Sequence, residues 1–121
     1  MDDSQLVLKL IRICWPLEAE AVGPAYLREI ANGRTDFGAV EGAAHIDFLE
    51  ILKALAEGAT VIRTAIEIGR IIRNSENSVS EEQVKKDLVE KREVPKTIGE
   101  HRLELISQEV ASAMKPPNDH I

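Results

Sequence analysis

Three histidines, one cysteine and many carboxylates are the groups with which this chain could do chemistry. Glu41 stands four residues before His45, and His101 stands three before Glu104. On a helix each spacing puts both side chains on one face. Either pair supplies two metal ligands, whereas a site takes three or four with a supporting shell of hydrogen bonds. No His-Glu-x-x-His or Cys-x-x-Cys pattern completes a set, and His120 falls in a polar tail. Exposed histidines are expected, and no metal.

Cys14 lies on the apolar side of a helical stretch with no local motif for nucleophilic work. It reads as an inert buried thiol. The glycines form no phosphate-cradling loop of either common type. Arg63 and Arg70 are seven apart with Glu67 between them, and Arg73 follows. They read as a neutralised polar strip; a small anion or acidic-partner patch is the functional alternative. The remaining carboxylates sit in charge-paired helix faces. No catalytic, cofactor-binding or metal-ligating residue is therefore expected, and the chain reads as non-enzymatic.

What positions these side chains is a run of aliphatic residues from about Ala44 to Arg73. Ile51, Leu55, Gly58, Ile62, Ala65, Gly69 and Ile72 recur at steps of three and four, a helix seam. Phe48, Leu52, Ala59 and Ile66 widen it on one side, and Val61 and Ile68 on the other. Polar residues collapse onto one strip: Glu50, Lys53, Glu57, Thr60, Arg63 or Thr64, Glu67, Arg70 and Asn74. A helix apolar around most of its girth is buried on several sides. Its 30 residues (about 44–73) would span about 45 Å, whereas a compact chain of this length is about 35 Å across.

The glycines sharpen this reading. Each one inside a helix costs about 1 kcal/mol relative to alanine, an expense that a close backbone approach offsets. Ala54 and Gly58 are four apart, as are Ala65 and Gly69. The seven seam residues are thus the candidate interface, with a partner or a second copy of the chain. Ordinary packing within the chain fits the same residues, and so does a helix break at Glu57-Gly58.

Shorter helices surround this one. Ser4 to Trp15 is a first helix, with Leu6, Leu10, Ile13 and Leu17 on one line and Val7, Ile11 and Cys14 on the next. It ends before Pro16, because a residue preceding proline is pushed out of the helical region. Pro16 and Pro24 then open short helices at 16–22 and 24–32, or one kinked helix, closed by Asn32-Gly33. Gly33 to Gly38 is a loop, and 74–80 a polar linker. Ser80 and Gln83 form a capping box for a helix over 81–93, solvated or packed on a partner, and Thr97 and Glu100 a second box for a helix over 98–114. Pro116-Pro117 forbids continuation into the tail.

The expected fold is all-α, a five- or six-helix bundle around the long helix. Residues 1–114 read as a single helical domain and 115–121 as a flexible C-terminal tail. With 44% hydrophobic and 3% aromatic residues, the core is aliphatic. A net charge of −6 argues against nucleic-acid binding, which needs a basic face, and against anionic membranes. No signal peptide is expected after the acidic start, nor a transmembrane segment, since the long helix would have to bury Arg63, Glu67 and Arg70. One cysteine allows no intrachain disulfide and suits the cytoplasm. The leading functional expectation is a non-catalytic interaction or self-association module: an adaptor, assembly or regulatory domain without cofactors. A small acidic, antitoxin-like inhibitor of a basic protein is the alternative.

Overall fold

A computed structural model describes residues 2–37, 46–76, 78–90 and 94–114. Among them are six helices and no strand: α1 (Asp3–Cys14), α2 (Pro16–Val22), α3 (Pro24–Ala31), α4 (Ile46–Glu76), α5 (Glu81–Glu90) and α6 (Glu100–Ala113). The expected all-α architecture with one long helix is the observed one. The chain divides into two compact units, Met1–Thr60 and Val61–Ile121, so α4 contributes its first half to one and its second half to the other.

In the N-terminal unit, α1 begins one residue earlier than its periodicity suggests. Asp2 accepts from the Gln5 N–H at 2.9 Å, and the Gln5 side chain accepts from the Asp2 N–H at 3.0 Å. This reciprocal capping box satisfies two of the otherwise orphaned amides. Trp15 leaves helical geometry ahead of Pro16, and α1 stops at Cys14. Gly23, at φ 84° and ψ 166°, separates α2 from α3, so two helices form where one kinked helix was the alternative.

The break at Trp15-Pro16 has a consequence for the core. Leu6 and Leu10 are buried as expected, but Ile13 is 38% exposed and Leu17 79% exposed. The break accounts for Leu17, because α2 does not inherit the phase of α1, whereas Ile13 is exposed within α1 itself. Beyond α3, Phe37 is buried although it lies in a loop. Its ring meets Tyr26 edge-on at 6.3 Å, and Tyr26 meets Phe48 of α4 at 5.6 Å. Such edge-to-face pairs add to plain area burial.

In the C-terminal unit, α4 continues through Asn74, Ser75 and Glu76, which the polar composition had suggested as linker. Ser75 Oγ donates to the Ile71 carbonyl at 3.1 Å, an arrangement compatible with helix. Ser80 caps α5 by accepting from the Gln83 N–H at 3.2 Å, while the Gln83 amide donates to Glu76 at 3.1 Å. The expected Thr97–Glu100 box does not start the last helix. Pro95 opens a turn closed by the Ile98 N–H, and Gly99 at φ 82° and ψ 155° is the N-cap, so α6 starts at Glu100.

Helices α5 and α6 meet through buried Val84, Leu88, Leu103 and Ile106. Ser107 is fully buried, and its hydroxyl has no hydrogen-bond partner among the described residues. A buried hydroxyl left unsatisfied destabilises. Ser107→Ala should therefore raise stability by about 1 kcal/mol, read as a higher midpoint in urea unfolding.

Lys85 of α5 lies between two carboxylates of α6. It pairs with Glu100, and with Glu104 at 3.3 Å. The hydrogen bond that Lys85 donates to Glu100 is the main cause that raises its pKa above the usual 10.5. A raised amine contributes stability at pH below its ordinary value and loses it as pH climbs through the raised one. Lys85→Met should thus be modestly less stable than the parent at pH 7. The gap should close above pH 10.5, as followed by thermal midpoints across an alkaline series.

Candidate functional site

The seven seam residues of α4 are found inside the protein. Leu55, Gly58, Ile62, Ala65, Gly69 and Ile72 are buried, and Ile51 is half-buried. Helical spacing made these residues apolar on one side, and the chain's own helices take up that side. At Gly58 the neighbour is the indole of Trp15. A Cβ at this position would lie 2.7 Å from Cζ3 and 2.9 Å from Cζ2, and closer still to Cη2. At Gly69 the neighbours come from α6 and its end: a Cβ would lie 3.0 Å from Val110 Cγ1 and 3.1 Å from Met114 Cγ. Within each unit it is side chains, not the expected second backbone, that come close to these glycines. Ala54, expected to share a notch with Gly58, is exposed.

Most of the polar strip of α4 is exposed: Glu50, Lys53, Glu57, Thr60, Glu67, Arg70 and Asn74 are, whereas Thr64 is half-buried. Arg63 is half-buried and Arg73 exposed. Cys14 is buried and free of any disulfide. His101 and Glu104 are both exposed, and Glu104 is engaged with Lys85. Glu41, His45 and His120 lie outside the described residues. Among the described residues, no group of three His, Cys, Asp or Glu side chains could hold a metal ion. No described helix is long and apolar enough to cross a membrane.

Among the described residues, concave surfaces occur in each unit. One lies on α3 and the loop after it, lined by Tyr26, Arg28, Glu29, Asn32 and Arg34. Its Arg34 is already committed to structure. The guanidinium donates to Glu29 at 2.8 Å and to the Asp36 carbonyl at 3.0 Å, and lies 4.6 Å from the centre of the Phe37 ring. It holds the loop against the helix by charge and by cation–π attraction.

Another is a groove of about 430 Å3 in the C-terminal unit. Val89 at the end of α5, Val94 and Pro95 in the connection, and Leu103 of α6 supply its apolar lining, with Lys96 and Glu100 beside them. Val89 is 52% exposed, because Val84 and Leu88 already occupy the core-facing side of α5. A groove of this size, with an apolar floor and a few charges beside it, has room for an apolar side chain of a partner or for a small molecule. The sequence allowed α5 either a solvated role or packing on a partner, without locating a groove. The available signal was Val89 itself, apolar and off the Val84–Leu88 line.

Comparison with protein-family models, with curated proteins and with solved structures finds no match. The functional reading therefore rests on this chain's own residues.

Proposed function

We propose that the chain is a non-catalytic helical protein–protein interaction module, serving as an adaptor, assembly or regulatory domain. The observation that supports this reading most is the α5–α6 groove, where Val89 stands half in solvent over Leu103 with charged residues alongside. Apolar anchors seated in such grooves supply most of the affinity of helical interfaces. The buried seam of α4 supports it less than its composition suggests, because Trp15, Val110 and Met114 already lie against its glycines. Intermolecular use of Ile51, Leu55, Gly58, Ile62, Ala65, Gly69 and Ile72 would require those side chains to move aside. A cytoplasmic setting belongs to the same proposal, supported by the single buried thiol.

The test is light scattering of the purified chain at micromolar concentration, with mass spectrometry of whatever co-purifies from its native source. A mass above 13.4 kDa, or a retained protein, is the expected result. Val89→Lys should weaken that association at least tenfold, while Lys53→Ala, exposed on the other unit, should leave it unchanged. A strict monomer that retains nothing overturns the proposal.

A second reading has its own support in charge. Residues 1–60 hold ten acidic and five basic side chains, residues 61–121 eleven and ten, so five of the six net negative charges fall in the N-terminal unit. An acidic inhibitor of a basic protein would use that unit. Its complex should weaken steeply between 50 mM and 500 mM salt, whereas an anchor-driven complex should barely respond.

A further inference from the structure

We draw no further inference here: the strongest candidate, the exposed apolar patch of Ile13 and Leu17 where α1 gives way to α2, has Lys9 and Arg12 on one side and Glu18 and Glu20 on the other, and nothing in the structure shows what covers it.

Discussion

Trp15→Ala should remove about 3–5 kcal/mol of folding free energy, the usual loss for a buried aromatic ring. Gly58→Ala should remove about 1–3 kcal/mol by overpacking, even though alanine is the better helix former. The two losses should not add. Without the indole, a methyl at position 58 meets space rather than ring carbons, and its helix propensity then works in its favour by about 1 kcal/mol. The double variant should therefore match Trp15→Ala or exceed it in stability, a coupling that a double-mutant cycle measures directly. Urea unfolding followed by far-ultraviolet circular dichroism gives all four values. A neutral Gly58→Ala in the parent background would sink the account.

Gly69 provides the internal comparison. A methyl there meets Val110 and Met114 at 3.0 and 3.1 Å, against ring carbons under 3 Å at Gly58. Both contacts are at or above 3.0 Å, and the methionine yields more readily than an indole, although β-branched Val110 does not. Gly69→Ala should accordingly lie near neutral, with the propensity gain offsetting the squeeze. Two glycines on one seam, three turns apart, thus carry different penalties because of what stands in front of them.

Gly99→Ala is the second large effect. At φ 82° and ψ 155° the backbone sits in a region that is essentially reserved for glycine. No atom lies within 4 Å of where the new Cβ would be, so the whole loss is backbone strain, about 1–3 kcal/mol. The Gly99 carbonyl accepts from the Leu103 N–H at 3.1 Å, which makes the first turn of α6 the place where strain is released. Amide exchange at Leu103 should accelerate in the variant, and exchange near Val110 should change less. Uniform protection along α6 would contradict this.

The helical content was legible because aliphatic residues recur with helical period over most of the chain. The α4 seam is the best example: six of its seven residues are buried and most of its polar strip is exposed. Periodicity tells which side of a helix avoids water, but not what lies against it. That Trp15 meets Gly58 is a contact between residues 43 positions apart, and no local pattern encodes it. Phe37 was illegible for another reason, since a single loop residue has no period to read. Boundaries slipped where local chemistry was ambiguous. Asp2 caps α1 through Gln5, a start signal that apolar periodicity does not carry, and Thr97 looked like a cap although Pro95 and Gly99 set the turn. The groove at Val89 depends on the placement of three successive segments, α5, the Val94-Pro95 connection and α6, and only one exposed valine hinted at it.

The aromatic rings carry a practical consequence. Trp15, Tyr26, Phe37 and Phe48 all precede Thr60, and residues 61–121 contain none. Ultraviolet emission from this protein originates entirely in one of its two units. Local changes at Gly99 or at Val89 that leave the first sixty residues folded would not alter that light directly. A reporter placed at half-buried Leu105 would give the dark half a voice of its own.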